Sequence, residues 1–265
     1  MITHCISRFA PSPTGRLHLG HAWSALQAHD LARAAGGEFL LRIEDIDTGR
    51  CRAEFVDGIF DDLRWLGLEW EGPVMVQSER FDVYRAALDQ LIDRELVYRC
   101  WCTRSEIAAS AGAPQGDEGP VYPGTCKGRT DPGGGRSYCW RLDGEKAGAP
   151  LLPQGDVVLA RKDMPCSYHL SVTLDDAAQG VTDVVRGSDL SEATHVHRLL
   201  QAILDLPTPC YHHHALLAGP DGERLAKRHN APTIKSLREA GTDPLRLIDG
   251  MRHGRFPFGF ALMEA

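Results

Sequence analysis

The segment that most constrains how this chain folds runs from residue 2 to residue 37. Residues 2–9 predict a strand, which the proline- and glycine-rich stretch at residues 11–15 then breaks. A helix is predicted to begin near Gly20 and to stop at Gly36-Gly37. In such a strand–turn–helix unit, backbone N–H groups and the positive end of the helix dipole face a bound anion. The segment therefore predicts an α/β fold with a phosphate site at its first turn.

Two short motifs far apart in the chain point to the same phosphates. The first, His18-Leu19-Gly20-His21, places two histidines three residues apart in the turn, where both can reach one anion. The second is the segment 224–229, which predicts a basic loop that carries Lys227. Either motif alone is usually an ordinary helix start or a solvated turn. Together, and in this order, they resemble the HIGH and KMSKS signatures of class I aminoacyl-tRNA synthetases, and we expect His18, Gly20, His21 and Lys227 to bind ATP.

Strands and helices alternate along most of the chain, which is typical of a doubly wound parallel sheet. The sequence predicts strands at residues 38–43, 168–174, 181–185 and 211–217, and helices at 51–66, 81–96, 188–204, 234–240 and 244–251. The alternation breaks at Val97, where short strands at 98–102, 137–142 and 156–160 surround a glycine- and proline-rich stretch. We therefore predict a catalytic domain at residues 1–96 and 167–231, an inserted subdomain at 97–166 and a short helical segment at 232–265.

The net charge and the hydropathy of the chain argue against some classes of protein. The net charge of −7 on 265 residues argues against broad, sequence-independent binding of nucleic acid, so RNA would need a local basic patch. The candidate patches are Arg224, Lys227, Arg228 and Lys235, or Arg246, Arg252 and Arg255. The chain shows no apolar run of membrane-spanning length and no signal-peptide pattern, so we expect a cytoplasmic protein with no membrane partner.

The eight cysteines do not suggest a disulfide framework. Cys100, Cys102 and Cys126 offer three thiolates, whereas tetrahedral zinc takes four ligands. Asp117 and Glu118 of the same loop are candidates for the fourth, and a loop of reduced cysteines without metal is the alternative. The remaining cysteines are predicted to be small buried hydrophobes: Cys5, Cys51, Cys139, Cys166 and Cys210.

Adenylation of a carboxylic acid requires a carboxylate held against the α-phosphate of ATP, with Mg²⁺ expected on the nucleotide. Arg8 and Arg186 are predicted at strand ends, where ligands bind in doubly wound sheets, and the guanidinium fork suits a carboxylate. Glu44, which ends the second strand, is placed to take an α-amino group. The run 212–214 of three histidines would alternate across a strand, so at most two converge, and we interpret it as structural or adjacent to the nucleotide.

These residues make the chain resemble the glutamyl branch of the class I synthetases over residues 1–241, from RFAPSPTG through RIEDID and VVRGSDL to the lysine loop. The resemblance implies a Rossmann-like doubly wound parallel sheet with an inserted zinc-containing subdomain. It also implies an L-glutamate site formed by Arg8, Phe9, Ala10, Pro11, Ser12, Glu44, Tyr168 and Arg186. By the same resemblance Lys227 serves ATP, and Tyr122 completes the zinc ligands with Cys100, Cys102 and Cys126.

Within that branch the likeness is greatest to a truncated paralogue that activates glutamate without tRNA and attaches it to the queuosine base in the tRNA(Asp) anticodon. The chain stops soon after the lysine loop, so no anticodon-binding domain is expected, and Val172 stands where true glutamyl enzymes usually have asparagine. One departure is Ala226, which removes a hydroxyl contact to ATP and is expected to trim the rate. The alternatives are the catalytic domain of a glutamyl-tRNA synthetase that charges the tRNA 3′ end, and a catalytically silent RNA-binding relative.

Overall fold

The computed structural model describes residues 4–109, 115–116, 119–149, 152–153, 155–162, 164–223 and 232–263. The lysine loop that contains Lys227, and the alternative zinc ligands Asp117 and Glu118, lie outside these residues. The chain forms two compact units. The first comprises Met1–Ser78, Gly180–Ser191 and Pro209–Ala265, and the second comprises Glu79–Gln179 and Glu192–Thr208. The insertion predicted at residues 97–166 lies inside the second unit.

The elements follow one another as β1 (Ile6–Phe9), α1 (Leu19–Ala34), β2 (Glu38–Ile43), α2 (Ala53–Trp65), β3 (Met75–Val76), α3 (Phe81–Asp93), β4 (Val97–Cys100), α4 (Arg104–Ala109), β5 (Gln115–Gly116), β6 (Gly119–Pro120), β7 (Cys139–Leu142), β8 (Val158–Arg161), α5 (Tyr168–Ala178), β9 (Asp183–Gly187), α6 (Ala193–Ile203), β10 (Cys210–His214), β11 (Leu217–Ala218), α7 (Ile234–Glu239), α8 (Pro244–Arg252) and β12 (Ala261–Leu262). Within the described residues, no helix is both long and apolar enough to cross a bilayer.

The first unit is built on a five-stranded parallel sheet in the order β10-β9-β1-β2-β3. This confirms the predicted α/β fold with a parallel sheet. Because the strands are parallel and β1 lies between β9 and β2, the carboxyl ends of these three strands meet at one edge. The residues that end them are the ones for which the sequence predicts ligand binding.

Helix α1 lies close against this sheet because its inner face is made largely of alanine. Ala22, Ala25 and Ala28 are fully buried, and the helix contacts both β1 and β9. The chain then turns into β2 through Gly37, where an added Cβ would lie 1.9 Å from the carbonyl oxygen of Cys5. Only glycine permits this close approach of two backbones.

The second unit contains a three-stranded antiparallel sheet, β4-β7-β8, with α3, α5 and α6. The strand predicted at residues 168–174 is wrong, because this segment is helix α5. The β-branched pair Val172-Thr173 favours a strand locally. The hydroxyl of Ser167 nevertheless caps the helix by accepting from the Leu170 N–H, and α5 buries one side against α6 and β8. Tertiary burial therefore overrides the local preference.

Asp175 is the first residue of the acidic pair 175–176 in α5, and its buried contacts show why a carboxylate stands there. It is fully buried in α5 and accepts hydrogen bonds from Arg80 Nε and the Tyr84 hydroxyl, each at 2.8 Å. Burial, and then the charge of Asp175, raise the pKa of Tyr84. The carboxylate thus fixes α3 to α5 within the second unit.

Several other boundaries differ from the prediction. Arg186 lies inside β9, not after it, and the strand predicted at 211–217 is two short strands, β10 and β11. The helix predicted from Ser188 begins with one 3₁₀ turn, and α6 starts only at Ala193. The prediction that the remaining cysteines are buried holds for Cys5 and Cys166. It is wrong for Cys210, which is exposed on edge strand β10, and for Cys51 and Cys139, which are half-buried.

Candidate active site and metal centre

The histidine pair lies at the first turn of α1. His18 is the N-cap, and its Nδ1 accepts from the Gly20 N–H at 3.1 Å, while Nδ1 of His21 accepts from the His18 N–H at 3.2 Å. The two ring centroids are 3.8 Å apart. Since Nδ1 is an acceptor in both rings, each neutral imidazole carries its proton on Nε2 and is a donor through that atom. The pair therefore places two N–H donors at the positive end of a helix, which suits an anionic ligand.

Gly20 leaves room for this cap. A Cβ at position 20 would lie 3.0 Å from Cε1 and 3.2 Å from Nδ1 of His18. A larger residue would make the imidazole shift by a few tenths of an ångström relative to the N–H that it caps. The glycine of the motif thus serves the placement of His18 as well as the approach of a ligand to the backbone.

Two buried arginines lie at the carboxyl edge of the sheet. Arg8 on β1 is only 5% exposed, and its guanidinium donates to the Val185 carbonyl on the neighbouring strand β9 at 3.4 Å. Arg186, also 5% exposed, donates from Nε to Nε2 of His213 at 3.4 Å and lies 5.0 Å from the ring centroid of Tyr211. Guanidinium groups held in place on adjacent strands are well suited to bind carboxylates with paired hydrogen bonds.

Glu44 completes the charged groups at this edge. It directly follows β2, is 8% exposed, and its backbone N–H donates to the Pro11 carbonyl at 3.0 Å. The fully buried Arg42 approaches Glu44 Oε1 at 3.5 Å. Arg42 was not predicted as a site residue; its signal was an arginine in an otherwise apolar strand, two residues before an acidic residue. The ion pair places a positive charge beside the Glu44 carboxylate in a largely buried setting.

The turn between β1 and α1 connects these groups. Phe9 and Pro11 are buried, whereas Ser12 is exposed at the top of the turn. The Thr14 N–H closes the turn on the Ser12 carbonyl at 2.8 Å. The first unit thus brings together most of the predicted glutamate and ATP residues: Arg8, Phe9, Ala10, Pro11, Ser12, His18, Gly20, His21, Glu44 and Arg186. Tyr168 is the first residue of α5 in the second unit, where its ring lies 5.5 Å from that of His197.

The three consecutive histidines on β10 do not converge. His212 Nε2 lies 2.7 Å from Asp183, His213 accepts from Arg186, and His214 Nε2 lies 2.8 Å from the Ser24 hydroxyl. Burial lowers the pKa of His214, and burial together with the Arg186 charge lowers that of His213. Each ring supports a different neighbour, as the alternation of a strand requires.

The second unit holds a cluster of sulfur atoms. The Sγ atoms of Cys100, Cys102 and Cys126 all lie within 4.8 Å of one another, and those of Cys102 and Cys126 are 3.5 Å apart. The Tyr122 hydroxyl lies 3.3 Å from Cys100 Sγ and 4.0 Å from Cys102 Sγ. Tetrahedral zinc with sulfur at about 2.3 Å separates its ligand sulfurs by about 3.8 Å. The three cysteines could therefore bind zinc with little movement, and the Tyr122 hydroxyl offers an oxygen beside them.

The elements around this cluster hold Tyr122 firmly. The residue is 5% exposed, its hydroxyl accepts from the Cys126 N–H at 2.7 Å, and the Arg141 guanidinium carbon lies 3.8 Å from its ring centroid. A backbone bridge joins it to Gly155, where a Cβ would lie 2.8 Å from the Tyr122 carbonyl. Burial and the neighbouring Cys126 raise the pKa of Cys102 to about 12, so a divalent cation would have to displace its proton on binding.

Comparison with known proteins relates this geometry to a family. The family described as "tRNA synthetases class I (E and Q), catalytic domain" matches residues 4–123 and 149–258. The glutamyl-Q tRNA(Asp) synthetase of Rhodobacter capsulatus is 52% identical over 90% of this chain and 96% of its own length. The chain belongs to the glutamyl-Q tRNA(Asp) synthetase family. Another member, from Symbiobacterium thermophilum, is 45% identical over 91% of this chain and 83% of its own length.

Solved structures agree with the family in fold. A glutamate-tRNA synthetase from Elizabethkingia anophelis superposes with a TM-score of 0.73 at 24% identity, and it covers 94% of this chain. The chain spans 61% of the length of that structure. A tyrosyl-tRNA synthetase from Archaeoglobus fulgidus, at 19% identity and a TM-score of 0.51, has a related fold over 85% of the chain. Membership in the glutamyl-Q tRNA(Asp) synthetase family makes the chain a ligase of the class I synthetase type, as the sequence motifs predicted.

Proposed function

We propose that this protein activates L-glutamate with ATP, in the absence of tRNA, and transfers the glutamyl group to the queuosine base in the anticodon of tRNA(Asp). The observation that carries the proposal is the meeting of Arg8, Arg186 and Glu44 at the carboxyl edge of the parallel sheet. L-glutamate carries two carboxylates and one ammonium group, and two guanidinium groups with one carboxylate form the complementary set. The name of the Rhodobacter capsulatus relative supports the acceptor.

In this proposal the substrate amino acid is held by charge and by the turn backbone. The guanidinium groups of Arg8 and Arg186 each bind a carboxylate, and Glu44 accepts from the α-ammonium group. The backbone of residues 9–12 lies along the bound amino acid, and the family resemblance assigns Tyr168 to the same ligand. Arg42 acts through Glu44, because its guanidinium lies beside that carboxylate and orients it toward the edge of the sheet.

ATP is proposed to lie at the N-terminus of α1, with its phosphates against His18, His21 and the backbone at Gly20, and with Lys227 as a further donor. The glutamate carboxylate attacks the α-phosphorus in line, and the bond to the pyrophosphate oxygen breaks. The histidines and the lysine stabilise the charge that develops on the phosphate oxygens. Mg²⁺ on the nucleotide would supply further charge neutralisation.

The transfer step needs only a positioned hydroxyl. An oxygen of the cyclopentenediol ring of queuosine attacks the acyl carbon of the glutamyl adenylate, the bond to AMP breaks, and the hydroxyl proton is lost to the departing phosphate or to water. The product is an ester, which is labile to mild alkali.

Zinc, held by Cys100, Cys102, Cys126 and Tyr122, would stabilise the second unit, since a site with four protein ligands leaves no position open for catalysis. Because tRNA and ATP are both present in the cytoplasm, a cytoplasmic location is part of this proposal.

Two measurements test the proposal. We expect ATP–pyrophosphate exchange that depends on L-glutamate and proceeds without tRNA; exchange only on addition of tRNA would indicate a glutamyl-tRNA synthetase, and no turnover would indicate a silent relative. Labelled glutamate should then transfer to tRNA from queuosine-containing cells and remain after selective removal of the tRNA 3′ end. Label that leaves with the terminal adenosine, or that reaches queuosine-deficient tRNA equally, would contradict the assigned acceptor.

A further inference from the structure

The antiparallel sheet of the second unit carries arginine and aromatic side chains that the adenylation site does not use. The exposed guanidinium carbon of Arg99 lies 4.8 Å from the ring centroid of Tyr138 and 5.3 Å from that of Trp140. The Tyr138 ring meets Trp140 edge-on at 5.8 Å and Trp101 at 6.3 Å. We name these four residues, Arg99, Trp101, Tyr138 and Trp140, the arginine–aromatic face.

Strand register explains why the four side chains share one face. Arg99 on β4 lies opposite Trp140 on β7 in the antiparallel pair. Tyr138 is two residues before Trp140, and Trp101 is two residues after Arg99, so all four project to the same side. The intervening Cys100 projects to the other side, toward the Tyr122 hydroxyl. The face thus lies on the opposite side of the strand from Cys100, and it meets the thiolate cluster only at Trp101, which packs beside Cys126.

A cavity of about 280 Å³ adjoins this face through Trp101. Its lining combines that indole with Arg129 and Arg136, the Glu106 carboxylate, the hydroxyls of Thr125 and Thr130, Pro132, and Cys102 and Cys126 of the thiolate cluster. Arg136 pairs with Glu106 at 3.3 Å, and the Thr103 N–H donates to the other carboxylate oxygen at 2.6 Å. The cavity therefore offers both hydrogen-bond donors and acceptors beside an aromatic wall. Its volume lies just below the range of about 300–1,000 Å³ for drug-sized ligands, so it suits a single small ring system.

We propose that the arginine–aromatic face and this cavity bind an unpaired nucleotide of RNA. In this arrangement the base enters the cavity, where the paired Glu106 and Arg136 contact its edge, and Arg99 and Arg129 contact the flanking phosphates. Arginine planes beside aromatic rings are the usual means by which proteins bind unstacked nucleotides. Arg99, Arg129 and Arg136 still outnumber the two nearby carboxylates, Glu106 and Asp131, so the surface is locally positive on a chain of net charge −7. The proposal deepens the proposed function, on which it rests, by giving the RNA substrate a contact surface in the second unit.

Binding of RNA can be measured without turnover. The probe is a fluorescein-labelled hairpin with the anticodon-loop sequence of tRNA(Asp), and the comparison is the same RNA in a fully paired duplex. The double variant Arg99→Gln, Arg129→Gln should weaken hairpin binding by about tenfold or more. It should also make the salt dependence shallower by about 1.4 units of log–log slope, because about two phosphate contacts are lost at about 0.7 each for single-stranded RNA. Thr130→Phe, which fills the cavity at an exposed position, should reduce the preference for the hairpin over the duplex.

Arg85→Gln is the matched control, since Arg85 is an exposed arginine on α3 of the same unit that does not line the cavity. It should leave hairpin binding unchanged, and all variants should retain glutamate-dependent pyrophosphate exchange. Unchanged hairpin affinity of the double variant, an equal loss in Arg85→Gln, or equal binding of hairpin and duplex by the unmodified protein would overturn the proposal. Absence of exchange with these binding results intact would instead count against the proposed function alone.

Discussion

Nε of Arg186 donates a hydrogen bond to Nε2 of His213 over 3.4 Å, between two neighbouring parallel strands. The bond requires that Nε2 of His213 carries no proton. Burial lowers the pKa of His213 most, the charges of Arg186, His214 and His212 lower it further, and Asp189 opposes them. A neutral His213 therefore holds the guanidinium that is proposed to bind a substrate carboxylate.

This relationship predicts a pH-dependent KM for glutamate. The pKa of His213 lies below its ordinary value of 6.5, so the ring is neutral at pH 7 and becomes protonated only at lower pH. Protonation removes the acceptor and adds a like charge beside Arg186. The KM for glutamate in pyrophosphate exchange, measured from about pH 5 to 8, should rise toward the acid end while kcat changes less.

Two substitutions of His213 distinguish this effect on KM from a general loss of activity at low pH. His213→Gln keeps an acceptor and should show a KM near the parent value with a weaker rise at low pH. His213→Leu should raise KM by about tenfold near neutral pH, which corresponds to the loss of a hydrogen bond to a charged group, and should show little further rise at low pH. A KM that responds to pH identically in the parent and in both variants would show that His213 does not position Arg186.

Lys227→Ala should cost about 2–4 kcal/mol of transition-state stabilisation, the scale of one positioned charge donor. The affinity for glutamate should change little, because the lysine is predicted to contact phosphate. Kinetics of exchange give both quantities, and Lys235→Ala is the control, since that lysine pairs with Glu239 on α7. Weakened glutamate affinity with a normal maximal rate would mean that the role of Lys227 is wrongly assigned.

The purified protein should carry about one zinc ion per chain, measured by elemental analysis of protein prepared without chelator. Cys102→Ser should lose the metal and destabilise the second unit before it affects exchange. Cys210→Ser, an exposed cysteine of the first unit, should retain it. Tyr122→Phe should weaken zinc binding if the phenol is the fourth ligand, and a metal-free parent protein would end this prediction.

Protonation of the buried Asp62 carboxyl should increase the free energy of unfolding when the pH falls slightly below neutral. Its side chain on α2 is 1% exposed, and Arg238 of α7 lies 3.6 Å from Oδ1. Burial raises the pKa of the carboxyl from 3.8 to about 6. Between these two pH values the folded protein therefore holds a proton that the unfolded chain has lost. Stability contributed by this proton is therefore gained as pH falls through about 6.

Urea unfolding of the parent and of Asp62→Asn, from about pH 7 to about pH 5, isolates this contribution. The parent should gain about 1 kcal/mol relative to the variant over that interval. The comparison cancels groups that both proteins share, such as Asp30, whose pKa Arg252 holds near 2 against the effect of its own burial. An identical pH dependence of the two unfolding free energies would contradict the assignment.

Some parts of the fold followed from the sequence because their signals are local. Strand β2 has the predicted bounds, Glu38–Ile43, since a glycine pair precedes a mostly apolar run. Helices α7 and α8 also agree, because Thr233 and Asp243 are typical N-caps and do cap them. Helix α5 was missed, because the burial of Val172 against the rest of its unit has no local signature.

The residues of the candidate site also divide into those that local sequence predicts and those that only the tertiary structure reveals. The glycine and histidines at the first turn of α1 are predictable, since three or four residues determine the cap. Arg42 was not predicted, although it is fully buried and approaches the Glu44 carboxylate at 3.5 Å. Nothing in the strand pattern shows whether a charged residue will face a partner or solvent.

By itself the sequence determined the α/β class, most of the elements and the residue types at the proposed site, since these depend on turn residues and periodicity over short stretches. Tertiary structure decided which strands are neighbours: β1 lies between β2 and β9, so Arg8 donates to Val185, 177 positions further along the chain. Parallel pairing over such a distance depends on burial of both sheet faces and on helices packed between the strands. That pairing places Arg8, Glu44 and Arg186 at one edge.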